Sequence, residues 1–110
     1  MPAYVISVRR ATSDPAAMAR YAAEAPRAGS AAGRTIKRLA TSTGRLRVLA
    51  GGRVEGVSIL EFPSFEEAEA WFDSDEYQDA VRHLFAGADY QMIIVEGQTE
   101  VFAPRRDARA

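Results

Sequence analysis

The chain contains no cysteine. Disulfides, thiolate metal sites and a cysteine nucleophile are therefore excluded. It contains one histidine, His83, so no Ser-His-acid set can be assembled around alternative bases. An excess of one charge is also missing. The net charge is −1, which removes the electrostatic case for nucleic acid or an anionic membrane as partner. No apolar run is long enough to span a bilayer. The opening MPAYVISVRR lacks a basic region followed by an apolar core and cleavage site, so no signal peptide is read and the cytoplasm is the expected location. Gly51-Gly52 lacks the spacing and flanking helix of a phosphate loop, and no cofactor is expected.

What is present is an ordinary globular balance over 110 residues, 47% hydrophobic and 26% charged. That fits one domain, expected over residues 1–100. The remaining residues 101–110 carry charge without periodicity and are expected to form a flexible tail. A domain this small buries a modest fraction of its surface, so self-association matters to its burial.

The most informative stretch is Glu61 to Gln78, EFPSFEEAEAWFDSDEYQ. It follows an alternating strand ending at Phe62, because Pro63 cannot donate to a sheet ladder. Ser64 with Glu67 three residues later is a capping-box signature. Phe65, Ala68 and Phe72 then share a helix face, with Trp71 beside them. Asp73-Ser74 interrupts, and Ser74 is placed to cap a second helix carrying Tyr77, Val81, Leu84 and Phe85. Gly87 is the expected stop.

Upstream, Tyr4 to Val8 reads as a strand ended by Arg9-Arg10. Ser13-Asp14-Pro15 reads as a helix start. Pro26 must end or kink that helix. The alanine-rich stretch Ala28 to Ala32 is expected to resume it, and Gly33 to stop it. Arg34 to Ala40 reads as a second strand. Leu46 to Leu49 reads as its continuation or the start of a hairpin. Val54 to Phe62 is the third strand and Tyr90 to Val95 the fourth. The order β-α-β-β-α-β predicts an α+β, ferredoxin-like domain: a four-stranded antiparallel sheet with both helices on one face. The first and third strands would be central. They are apolar on both sides, so a second copy of the sheet is the expected cover for the bare face, giving a homodimer.

The stretch Ile59 to Gln78 resembles the DUF1330 family, a domain of unknown function. The resemblance rests on Glu61-Phe62-Pro63-Ser64, on Ala68 to Gln78 and on the closing Val95-Glu96-Gly97. The opening fits as well, with Tyr4 to Val8, Asp14-Pro15, Tyr21 and Glu24-Ala25-Pro26. It implies a dimeric α/β barrel of two ferredoxin-like subunits packed sheet to sheet. The wider superfamily includes cofactor-free monooxygenases, haem-degrading enzymes and muconolactone isomerase-like proteins, and fold alone transfers none of these activities. The chain departs from the family pattern at Ala31, where a histidine is usual, and at Thr35, where an aromatic is usual. It departs again at Asp75, where a proline is usual, and at Leu84, where an arginine is implied, although Arg82 lies nearby.

No catalytic residue can be named. His83 lies mid-helix off the apolar stripe and reads as a solvated or rim side chain. Glu66, Glu67 and Glu69 read as a solvated helix face, and no metal site is expected. The candidate ligand-binding residues are Arg38, Glu61, Tyr21, Trp71 and Tyr77. A charged side chain on a strand with apolar neighbours must be paired or line a wet cavity. Arg38 and Glu61 either form an ion pair at the sheet edge or dimer interface, or hold an acid or enolate ligand with the carboxylate as base. Tyr21, Trp71 and Tyr77 either wall that cavity or pack as ordinary core with their polar tips at partners. Two functions stay open: a dimeric module binding a small apolar or aromatic acid, and a cofactor-independent monooxygenase or isomerase acting on an aromatic or polyketide-like substrate. An RNA-binding sheet is disfavoured, because the strands carry aliphatics where spaced aromatics and basic residues would be needed.

Overall fold

A computed structural model describes residues 1–98. The charged tail expected over residues 101–110 lies outside the described residues. Four strands form one antiparallel sheet: β1 Ala3–Thr12, β2 Lys37–Ala40, β3 Gly56–Phe62 and β4 Ala88–Glu96, in the spatial order β2-β3-β1-β4. The two strands that are apolar on both sides are therefore the central pair, and the interleaved ferredoxin-like order holds. Strand β1 does not end at Arg9-Arg10. It runs on to Thr12 because β4 offers a full-length partner beyond an irregularity between Arg9 and Ala11. Arg10 also donates to the Gln91 side chain of that neighbour at 2.8 Å.

Helix α1, Pro15–Glu24, starts where Asp14 accepts hydrogen bonds from the backbone of Ala16 and Ala17. Proline occupies its first turn, where its missing N–H removes no helical bond. Pro26 then ends the regular helix. The alanines beyond it do not resume an α-helix. They form two 3₁₀ turns, Ala25–Ala28 and Ser30–Ala32, separated by Gly29 and closed by Gly33 at φ 77°. That left-handed angle costs glycine little and suits the stop.

Helix α2, Phe65–Asp73, begins with the Ser64 hydroxyl accepting from Glu67 N–H at 3.1 Å. Helix α3, Asp75–Gly87, follows after one residue. Ser74 has extended angles, φ −64° and ψ 148°. Its hydroxyl donates to the Trp71 carbonyl at 2.7 Å and accepts from Tyr77 N–H at 3.2 Å. One side chain thus closes α2 and opens α3.

All of this packs on one side of the sheet. Ala3, Val5, Ser7 and Phe62 are buried there against Ala68, Trp71, Tyr77, Val81 and Leu84. Helix α3 meets the start of α1 at Gly87, whose carbonyl accepts from Ser13 N–H at 2.8 Å and Asp14 N–H at 3.0 Å. A Cβ on Gly87 would lie 2.9 Å from the Asp14 carbonyl oxygen, so the approach requires glycine.

The opposite side of the sheet is a grid of three rows. Tyr4 sits between Glu61 and Val95, Ile6 between Ile59 and Ile93, and Val8 between Val57 and Gln91. Among the described residues no helix covers it, and Ile93 and Val95 are 47% and 43% exposed.

Leu46 to Leu49 forms no strand. Strand β2 pairs with β3 only from Lys37↔Glu61 to Ala40↔Ile59, with an irregularity between Arg38 and Ala40. Residues 41–55 then leave the sheet and form no strand. Leu49 is 82% exposed in consequence. The segment returns to β1 through Glu55, which accepts from the Thr12 hydroxyl at 2.8 Å and lies 3.2 Å from Arg9. The Thr12 bond holds the Glu55 carboxyl below its ordinary value. Among the described residues, no helix is long and apolar enough to cross a membrane.

Candidate functional site

Between the helical layer and the sheet, on the β2 side, lies an open cavity of about 550 Å³. That is the size range of small-molecule sites. Its floor comes from the central strands, through Ser7, Ser58 and Leu60, and from Tyr90 on β4. Its helical wall is Tyr21, Ala22 and Ala25, continued by Pro26, Gly29 and Ser30. Its sheet-edge wall is Ile36, Arg38, Ala40, Thr41 and Ser42, and its depth is closed by Trp71 and Leu84. Pro26 shapes this wall directly. By ending α1 and turning the chain through 3₁₀ segments, it keeps a continuous helix from lying down on the β2 half of the sheet.

The cavity gathers three of the five candidate residues. Arg38 stands opposite Leu60 in the β2–β3 register, so its side chain belongs to the helix side of the sheet, at the exposed mouth of the cavity. Tyr21 and Trp71 both line it. Tyr77 does not. It is fully buried behind the wall, with its hydroxyl 2.8 Å from that of Tyr21. Glu61 is on the other face of the sheet. It follows Leu60 by one residue, and strand alternation sends it away from Arg38. It pairs there with Lys37 at 3.8 Å. The Arg38–Glu61 pair is therefore not formed, and Glu61 cannot serve as a base in this cavity. Arg38 makes no ion pair among the described residues, where the five pairs formed use Arg9, Arg10, Lys37, Arg53 and His83.

The aromatic residues are held by one another. The Trp71 and Tyr77 ring centroids are 3.9 Å apart, Phe62 and Trp71 are 5.0 Å apart, and Tyr21 meets Tyr77 edge-on at 6.1 Å. Burial raises the pKa of Tyr21 and raises that of Tyr77 far more. The Tyr77 bond and the positive charge of Arg38 act the other way on Tyr21. Both phenols are neutral at physiological pH.

His83 is a rim side chain and not a solvated one. It is 15% exposed where α3 packs on α1, with Nε2 3.4 Å from a Glu24 carboxylate oxygen. It is absent from the cavity lining, as is Arg82, which bonds to the Asp79 carbonyl. Leu84, where the family resemblance implies an arginine, does line the cavity, so Arg38 is its one arginine among the described residues. Among the described residues no carboxylate lines it. Among the described residues no three His, Asp or Glu side chains cluster as metal ligands.

Among the lining residues that the reading of the sequence did not single out for the site are Ser7, Ser58 and Tyr90. Ser7 and Ser58 face each other across β1 and β3. Each interrupts an apolar run, in VISV and VSIL respectively. A small polar residue at the middle of a central strand is the signal that the sheet there faces a space and not packed side chains.

The family model described as "Domain of unknown function (DUF1330)" matches residues 2–98. No curated protein matches the sequence. Among solved structures, a protein of unknown function from Rhodopseudomonas palustris is 20% identical with a TM-score of 0.67, over 90% of this chain and 84% of that one. A dimeric ferredoxin-like protein of unknown function from Thermobifida fusca is 14% identical with a TM-score of 0.56, over 87% of this chain and 91% of that one. SnoaB, a cofactor-independent oxygenase from Streptomyces nogalater, is 12% identical with a TM-score of 0.54, over 91% of this chain and 96% of that one. Likeness at these identities speaks for the fold and for nothing finer.

Proposed function

The chain belongs to the DUF1330 family, and from that premise we propose that it is a homodimer, joined through the bare sheet face, whose subunits each bind a small aromatic acid in the cavity between sheet and helices. The observation that carries the ligand reading is Arg38. It is a guanidinium without a carboxylate partner among the described residues, on the wall of a cavity otherwise lined by apolar, aromatic and hydroxyl groups. Such a wall favours a planar apolar body, and the arginine favours a carboxylate, which it can grip through two parallel bonds. The dimer reading draws on the apolar grid around Ile6 and on structural neighbours described as dimeric. Closure of the two sheets into a barrel is part of this proposal.

The test is calorimetric or thermal-shift titration with benzoate-type acids and their neutral amides, on wild type and Arg38→Gln. A charged hydrogen-bond pair contributes about 1.5–3 kcal/mol, so the variant should bind the acids about tenfold or more weakly. The amides should not distinguish the two proteins. Equal affinity of acid and amide for the wild type would overturn the reading.

A second reading is a cofactor-independent oxygenase acting on an aromatic or polyketide-like substrate. It is supported by the likeness in fold to SnoaB and by the placement of Tyr21, Trp71 and Arg38 around one space. Oxygen uptake in the presence of a bound phenolic acid, lost in Arg38→Gln, is the result it requires.

A further inference from the structure

The hydroxyl pair at the cavity wall has a direction that geometry alone leaves open. Tyr21 Oη and Tyr77 Oη are 2.8 Å apart, and either atom can be the donor. Burial decides between them. Tyr77 is fully buried, and among the described residues its hydroxyl has Tyr21 as its one hydrogen-bond partner. If Tyr21 donated, the Tyr77 proton would be left buried without an acceptor among the described residues, which is costly. If Tyr77 donates, nothing is stranded, because Tyr21 lines the cavity and can direct its own proton there.

We infer that Tyr21 offers its hydroxyl hydrogen into the cavity, and that with Arg38 it forms a two-point donor site for an aromatic acid bearing a second acceptor, a ketone or aldehyde oxygen, on its ring. This rests on the ligand reading above and narrows it to carbonyl-substituted aromatic acids. Arg38 comes from the sheet edge and Tyr21 from the helical layer, so the two donors reach the ligand from different walls. Accepting a bond from Tyr77 polarises the Tyr21 hydroxyl and strengthens it as a donor. The positive field of Arg38 acts in the same sense. With no carboxylate in the lining among the described residues, an amine finds no charged partner there, whereas an anion with a second oxygen finds two donors.

Two isosteric probes isolate the second point: para-acetylbenzoate, which carries the carbonyl, and para-isopropenylbenzoate, which has the same shape without it. A neutral hydrogen bond contributes about 0.5–1.5 kcal/mol, so wild type should prefer the acetyl acid by up to about tenfold. Tyr21→Phe should bind both acids alike, at the affinity wild type shows for the isopropenyl acid. That variant strands the Tyr77 hydroxyl and is liable to fold poorly, so Tyr21→Phe is also made together with Tyr77→Phe, which leaves no hydroxyl orphaned and should behave the same way. Preference retained in the double variant overturns the assignment of Tyr21. Equal binding of both acids by wild type, with both weakened in Arg38→Gln, overturns the second donor and leaves the acid site standing. Binding of neither acid overturns both.

Discussion

Replacing Ile6 with glutamate puts a charge at the centre of the bare grid, between Ile59 and Ile93. In the single subunit Ile6 is half-buried, so the carboxylate reaches water and the fold should survive. In a symmetric sheet-to-sheet dimer the same position occurs twice across the interface. Full burial of an isoleucine side chain contributes about 1.5–3 kcal/mol. About half of that remains to be gained on association, so two copies forfeit about 1.5–3 kcal/mol. Burying the carboxylates costs more. A buried, unpaired glutamate takes up a proton before it tolerates its charge. Protonation at pH 7 from an ordinary value of about 4.3 costs about 3.7 kcal/mol per copy at 1.36 kcal/mol per pH unit. Together these weaken the dimer by up to about 10 kcal/mol. Even half of that is a factor of several thousand, since each 1.4 kcal/mol is about tenfold. Sedimentation equilibrium at micromolar concentration should find the variant monomeric at pH 7, with unchanged far-ultraviolet circular dichroism. Part of the affinity should return toward pH 4–5, where the carboxylate is protonated without cost. Ile6→Val is the milder companion. It removes one methylene per copy, about half of whose burial is gained on association, and should weaken the dimer by about 0.5–1.5 kcal/mol. A glutamate variant that stays dimeric with an unchanged dissociation constant at pH 7 would refute the assignment of this face.

Two further outcomes are expected. Gly87→Ala gains about 1 kcal/mol of helix propensity, but its Cβ would sit 2.9 Å from the Asp14 carbonyl oxygen and 3.0 Å from the Ala17 methyl. Overpacking of about 1–3 kcal/mol, with the two bonds to the Gly87 carbonyl strained at about 1 kcal/mol each, leaves a net loss of about 2–4 kcal/mol. Thermal unfolding should fall by several degrees, whereas Gly52→Ala, whose Cβ meets nothing within 4 Å, should leave it unchanged; an unchanged midpoint in Gly87→Ala would contradict the close approach. Burial raises the folded-state pKa of Tyr21 and Tyr77 above the unfolded value of 10.0, so their contribution to stability is complete below pH 10 and is lost as pH rises above it. Spectrophotometric titration should therefore leave two of the four tyrosines un-ionised until the protein unfolds, and early ionisation of all four would contradict the burial.

Much of the fold is legible in the sequence because its signals are local. The Asp14-Pro15 start, the Ser64 cap and the break at Ser74 each lie within a few residues of the atoms they satisfy. The expectations that fail depend on neighbours remote in sequence. Leu46 to Leu49 has strand composition but forms no strand, and composition does not supply a partner. Arg9-Arg10 resembles an end because two charges follow an apolar run, yet β4 extends alongside and pairs past them. The candidate site divides along the same line. Arg38, Tyr21 and Trp71 line one space, whereas Glu61, expected beside them, faces away from it. Only the β2–β3 register tells that Arg38 shares a face with Leu60 and not with the next residue. Tyr77, expected on the wall, stands behind it, where its proton has one place to go.

The hydroxyl of Ser74 holds Trp71 by its carbonyl and Tyr77 by its amide, and the two rings meet at a tilt with centroids 3.9 Å apart. The rear of the cavity is thus suspended from a single peg set outside it. Loosening that peg leaves every lining side chain intact while letting the indole and the phenol drift independently. Evolution can in this way retune what the cavity accepts from a position that no ligand ever touches.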